Sequence, residues 1–119
     1  MLYVDGYVLP IPTKNLKAYA KIAANAGKIW RDHGALDYKE CVGEDLNVKF
    51  GVPFSKQMKL KRGETVIFAY IVFKSRAHRD KVNAKVLKDP RIMEGFDPGK
   101  FPVDMKRMVY GGFKVLVDA

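Results

Sequence analysis

This chain is poor in the residues that usually announce chemistry. It has a single cysteine, Cys41, which excludes an internal disulfide and fits a reducing compartment. Its two histidines, His33 and His78, stand 45 positions apart with no CxxC, HExxH or clustered carboxylates around them, so no metal site is expected. Phosphate-cradling glycine patterns are missing as well: FDPGKF, around Gly99, is neither GxGxxG nor GxxxxGK followed by Ser or Thr. No cofactor is therefore expected. No apolar run approaches the roughly twenty residues that a membrane-crossing helix needs, and MLYVDGYVLPIP at the start lacks the basic region of a signal peptide. These absences predict a cytoplasmic protein with no membrane partner.

What is present reads as one globular domain over residues 1–119. A composition 48% hydrophobic, 12% aromatic and 29% charged argues against disorder, and the length suffices for one hydrophobic core. The net charge of +9 brings acidic partners into consideration, whether anionic metabolites, RNA or membrane surfaces. The cations are scattered, however, over Lys14, Lys17, Lys21 and Lys28, over Lys56 to Arg62, and over Arg76 to Lys88. Solvated helix and loop faces are the plainer reading.

The run Val66 to Phe73 holds eight apolar residues without a polar break, which predicts a strand buried on both faces. Ser75 after it is a good N-cap for a helix running to about Lys88, with Asp89 and Pro90 to stop it and one further turn at Ile92 and Met93. Val82, Val86 and Leu87 define the inner arc of that helix, which also carries Arg79 and Asn83. Leu2 to Leu9 reads as a first strand, with Leu2, Val4 and Val8 on one face and Tyr3, Asp5 and Tyr7 on the other, ended by Pro10 and Pro12. Thr13 is the expected cap of an amphipathic helix from Lys14 to about His33, closed by Gly34. Ala35 to Val42 alternates as an edge strand, placing Leu36, Tyr38, Glu40 and Val42 on one side. Gly43 to Gly63 is a long connection in which a short extra strand is one option, and Gly95 to Lys106 is a loop with Phe96 and Phe101 available to cover something. Arg107 to Val117 is the last strand, where Gly111 and Gly112 suggest a bulge or a close backbone approach.

The order βαββαβ is the ferredoxin-like arrangement of the α+β class, a four-stranded antiparallel sheet with two helices on one face. The other face is then bare and carries half of the central strand's apolar side chains, with aromatics from the first and last strands. Burying a few hundred square ångströms at about 25 cal/mol per Å² gives on the order of 10 kcal/mol before association costs. A homodimer through that open face, a dimeric α/β barrel, is the expected cover.

Four stretches, YVDGYVLPIP, KIWRDHGALDYKECVGED, YIVFKSRAHRDKVNAKVLKDPR and MKRMVYGGFKVLVD, are similar to the YbaA-like family of small bacterial proteins of unknown function. The resemblance covers nearly the whole chain. It implies the dimeric α/β barrel superfamily, whose other members include small cofactor-independent monooxygenases, lactone isomerases and haem-handling enzymes. It implies no particular activity.

In such a fold a small-molecule ligand would lie between sheet and helices. Candidate catalytic residues are His33, on the apolar arc of the first helix beside Trp30, and Asp5, a carboxylate between Tyr3 and Tyr7 that would need a partner such as Arg79 or Arg107. Candidate ligand-binding residues are Tyr7, Trp30, Tyr38, Arg79, Asn83 and Tyr110. Against each stands a plainer role: His33 bonded at its helix end, Asp5 in a structural ion pair, the tyrosines as core, His78 as a capping or surface residue, Cys41 as a buried inert thiol. Two functions of different classes follow, a small-molecule binder or enzyme, and an RNA-binding or protein-interaction module using the basic surface. Nucleic acid ranks lower, because the last strand lacks the aromatic-rich KGFGFVxF signature.

Overall fold

The computed structural model describes residues 1–94 and 101–119. Strand β1 (Tyr3–Pro12) runs through a 3-10 turn (Thr13–Asn15) into helix α1 (Leu16–Asp32), followed by β2 (Asp37–Val42), a one-turn helix α2 (Phe54–Gln57), β3 (Glu64–Phe73) and α3 (Arg76–Lys88). Short 3-10 turns at Pro90–Met93 and Met105–Arg107 lead to β4 (Val109–Lys114). The fold is α+β, with an open four-stranded sheet of order β2-β3-β1-β4 in which every pairing is antiparallel.

The uninterrupted apolar run is the sheet's interior strand, β3, paired on both edges. Its alternate residues Ile67, Ala69, Ile71 and Phe73 share a face with Tyr3, Asp5, Tyr7 and Leu9 of β1. Against this face pack Ile29 and Trp30 of α1 and Val82 and Val86 of α3, so both long helices cover the same side. A second core around Leu9, Ile11, Ile67, Ala69 and Val103 gathers Leu16 and Tyr19 of α1 with Phe101 and Met108.

The opposite face carries Val4 and Val8 of β1, Phe68, Tyr70 and Val72 of β3, and Val109 and Phe113 of β4. It is uncovered over most of its extent: Phe68 is 45% exposed, Val109 58% and Phe113 61%. The Gly43–Gly63 connection shelters one end only, where Phe54 meets Phe68 edge-on and Val66 is buried. That connection forms the single turn α2 rather than an extra strand. The aromatics of β1 also differ from expectation. Tyr3 and Tyr7 lie on the helix side, and the open face takes its rings from β3 and β4.

Several boundaries move for physical reasons. β1 continues through Pro10 and Pro12, which sit opposite Val66 and Glu64 of β3. Beyond Val8 it has no β4 neighbour, so the missing proline N–H groups cost no ladder bond on that side. Thr13 does not cap α1; its hydroxyl donates to the Gly63 carbonyl. Gly34 takes φ +113° after the helix, as a left-handed stop requires. β2 starts at Asp37, not Ala35, and β4 ends at Lys114, leaving Leu116 and Val117 exposed. Leu87 also faces outward, not inward. Ser75 caps α3 by accepting from the His78 N–H. The two central glycines of β4 stay in register, and a side chain at Gly112 would collide with the Tyr3 hydroxyl, so close approach and not a bulge explains it. Phe96 lies outside the described residues.

Candidate functional site

The register places Glu40, Ala69, Tyr7 and Tyr110 side by side across β2, β3, β1 and β4 on the helix-facing side. Ala69 is the one small side chain in that row, and the space above it is a hollow. A cavity of about 150 Å³ lies there, with Glu40 and Tyr7 to either side of Ala69, Tyr19 and Trp30 of α1 above, and Phe101, Val103, Met105 and Met108 closing the end. Tyr38 and Ile71 complete its wall.

The lining is apolar except at one place. Both Glu40 oxygens accept phenolic hydrogen bonds, Oε1 from Tyr19 at 2.6 Å and Oε2 from Tyr38 at 2.5 Å. Both lie at the short end of O–H···O bonds, where those to a carboxylate fall. Burial raises the pKa of Tyr19, and the hydrogen bond to Glu40 adds to it; burial and then the Glu40 charge do the same for Tyr38. Tyr7 is pushed up chiefly by burial and then by Asp5. All three phenols therefore keep their protons and are not nucleophiles, and Tyr19 and Tyr38 serve as donors. The Tyr7 ring stacks on Tyr110 at 4.8 Å between centroids.

Outside this cavity an open groove of about 710 Å³, of mixed apolar and charged lining, runs between α1 and the free edge of β2. Tyr19, Tyr38 and Glu40 line both spaces, so their hydrogen-bonded bridge is the partition between groove and cavity. Gly27 makes room for it: a side chain there would meet the Tyr38 ring at 2.8 Å. At the far end, Arg107 grips Glu64 with two bonds, 3.0 and 2.5 Å, and Asn15 donates to the Pro102 carbonyl at 3.0 Å. These bonds hold the closing segment onto the sheet and α1.

Beside the cavity, on the same face, lies a second polar group. Asp5 is fully buried and receives Arg79 Nη1 at 3.0 Å; the same nitrogen donates to the Tyr110 hydroxyl at 3.2 Å, and Nη2 to the Tyr3 hydroxyl at 3.4 Å. Burial raises the Asp5 pKa, with Arg79 and then Asn83 opposing it. Asn83 in turn accepts from the Trp30 indole at 3.0 Å. Asp5 Oδ2 and Arg79 Nε make no hydrogen bond, although Nε lies 2.9 Å from Asp80 Oδ1 in poor alignment.

The structure thus brings Tyr7, Trp30 and Tyr38 to one cavity and gathers Asp5, Arg79, Asn83 and Tyr110 into the neighbouring network. It does not bring His33 to either. His33 Nε2 is 2.8 Å from Asp89 Oδ2, at the end of α1, where Asp89 also holds Arg91. Tyr19 and Glu40 were not singled out from sequence. The signal for Glu40 was there: it alternates with Leu36, Tyr38 and Val42 on the apolar side of its strand, where a carboxylate is out of place. Met105, Met108 and Val103 carried none, because they come from a segment without periodicity. Cys41 is exposed and not buried as expected, because it lies on the edge strand β2 opposite Phe68 of the uncovered face. No helix among the described residues is long and apolar enough to cross a membrane.

Residues 2–105 match the family model described as a protein of unknown function, DUF1428. Over 118 residues, 99% of both chains, the sequence is 36% identical to the uncharacterized protein YbaA of Escherichia coli strain K12, and equally to YbaA of Shigella flexneri. The site described above accordingly lies on a framework shared along the full length of these relatives, and the chain belongs to the DUF1428 family.

Proposed function

We propose that this chain is a small-molecule-binding protein of the ferredoxin-like, dimeric α/β barrel kind, holding its ligand in the cavity above Ala69 and pairing with a second copy through the open sheet face. The observation that carries the ligand reading is the cavity itself. It is an apolar space of about 150 Å³ with one carboxylate fixed in its wall by two phenols. Pockets that bind small molecules combine these features, mostly apolar walls with a few placed polar groups.

In this reading Tyr7, Trp30 and Tyr38 touch the ligand together with Tyr19 and Glu40. Asp5, Arg79, Asn83 and Tyr110 act through them: Tyr110 stacks on Tyr7, and Asn83 fixes the Trp30 indole. His33 ties the end of α1 to Asp89 and takes no part in binding. The strand order and the two helices on one side support the ferredoxin-like arrangement. The uncovered Phe68, Val109 and Phe113 support pairing of two sheets, since an apolar face of this extent is costly in water. An RNA-binding role would need the same face, where the cation beside Tyr70, Lys39, is already held by Asp37 at 2.6 Å.

A thermal-shift panel of small cationic, neutral aromatic and anionic compounds tests the pocket, with Ala69→Leu as the filled control. At least one class stabilises the unmodified chain and loses its effect in Ala69→Leu. If no class shifts the unmodified chain, the pocket reading fails. Sedimentation tests the pairing: two copies at micromolar concentration, dissociated by Phe113→Asp. A single subunit at that concentration overturns it.

A further inference from the structure

We propose that the cavity is a receptor for a small organic cation, a methylated or quaternary ammonium about the size of choline, with Glu40 as counter-ion and the aromatic wall as its seat. The proposal rests on the small-molecule reading above and adds the ligand's charge.

Charge pairing across the molecule carries it. Cations exceed acids by 22 to 13, and the shielded acids of the described residues are matched accordingly. Asp5 has Arg79, Asp37 has Lys39, Glu64 has Arg107 and Asp89 has Arg91. Glu40 is the exception: among the described residues it has neutral phenols and no Lys or Arg in ion-pair range. The cations along the adjoining groove are committed elsewhere, Lys28 to Asp32, Lys39 to Asp37, and Arg31 to the carbonyls of Ala35 and Leu36. Phenols can orient a carboxylate, but they cannot neutralise it. A half-shielded charge left without a counter-ion costs free energy, and a cationic ligand recovers it.

The walls suit the same ligand. Tyr7, Tyr19, Trp30 and Tyr38 line the cavity together with Glu40, and methylated ammonium groups are held in protein sites by aromatic rings together with a carboxylate. An anion would meet Glu40 directly. A neutral compound would gain only apolar contact. Size narrows the class further: an engineered apolar cavity of about 150 Å³ in another protein takes benzene, so a compact head group fits and a long polyamine does not. The overall positive charge does not oppose this at contact range, because salt screens it beyond a Debye length of about 8 Å.

Titration calorimetry of the intact chain with choline, with its neutral isostere in which carbon replaces nitrogen, and with benzoate decides the matter. Choline is expected to bind at least tenfold more tightly than the isostere, with no benzoate binding. Glu40→Gln is expected to lower choline to the level of the isostere, and Ala69→Leu to abolish both. Equal binding of choline and isostere, binding of benzoate in preference, or an indifferent Glu40→Gln overturns the cation proposal while the pocket reading survives. The choline-to-isostere ratio in the unmodified chain carries the test even where Glu40→Gln does not fold.

Discussion

Asp5 on β1 and Glu40 on β2 are carboxylates on the same face of one sheet, both beneath helices and both among tyrosines. The protein treats them in opposite ways. For Asp5, fully buried, α3 delivers Arg79, whose guanidinium bonds the carboxylate and the phenols of Tyr3 and Tyr110 and lies 4.9 Å from the Tyr3 ring centre. For Glu40, α1 delivers only Tyr19, and β2 itself adds Tyr38. The first group is closed, with its charge balanced inside the molecule. The second is oriented without being balanced, at the wall of a cavity. The contrast separates a carboxylate that holds the fold from one kept available.

The comparison breaks most visibly at Arg79. Removing one partner of a buried pair strands the other, so Arg79→Met is expected to destabilise the fold by about 3–5 kcal/mol in urea denaturation. Asp5→Leu combined with Arg79→Met should recover most of that loss, because an apolar pair carries no desolvation cost. A single Arg79→Met change within about 1 kcal/mol of the parent would mean that the pair is not closed in the sense argued.

The closed group was legible in the sequence and the open one only in part, through the alternation of β2. Arg79 and Asn83 on the inner arc of α3 had to find partners, and Asp5 between two tyrosines had to find a cation. Polarity and periodicity narrowed that cation to Arg79 or Arg107, and the fold takes Arg79 while Arg107 goes to Glu64. The central strand, the helix-capping Ser75 and the turn at Gly34 were readable for the same local reasons. Glu40 depends on where β2 pairs. Its neighbours in space, Ala69 and Tyr7, are fixed by a register that no short-range pattern in β2 sets, and Tyr19 reaches it from another element. The end wall from Phe101 to Met108 has no period to read. His33 was a plausible base by its place on the apolar arc, but the helix ends one residue before it, which turns its ring toward Asp89.

A smaller effect is expected where α1 meets the open group. Gly27→Ala improves helix propensity by about 1 kcal/mol, yet the added carbon meets Tyr38 Cδ1 at 2.8 Å, too near the ring's base for the side chain to swing clear. Overpacking of this kind costs about 1–3 kcal/mol, so the net change is a loss of up to about 2 kcal/mol. It also displaces the Tyr38 hydroxyl from Glu40. A gain in thermal stability would show that the α1–β2 contact is looser than the hydrogen-bonded partition requires.

Glu64 extends the comparison to pH. Two hydrogen bonds from Arg107 and one from the Lys61 N–H outweigh desolvation and hold its carboxyl at about 2, below the ordinary 4.5. A depressed carboxylate adds stability above its unfolded pKa and loses it as the folded pKa is approached. The advantage of the parent over Glu64→Gln should therefore be constant above pH about 4.5 and shrink toward pH about 2. Melting curves of the two chains that stay parallel through that window would remove Arg107 as the latch of the closing segment.

The smallest effect on the fold is expected at Glu40 itself. Glu40→Gln keeps an acceptor for one phenol and removes a charge that no cation balances, so the lost bonds and the relieved charge act in opposite directions. The net change should stay within about 1 kcal/mol, against several for Arg79→Met. A loss as large as that of Arg79→Met would place Glu40 with Asp5 among the structural carboxylates, because a group that the fold depends on to that degree is not held in reserve for a ligand.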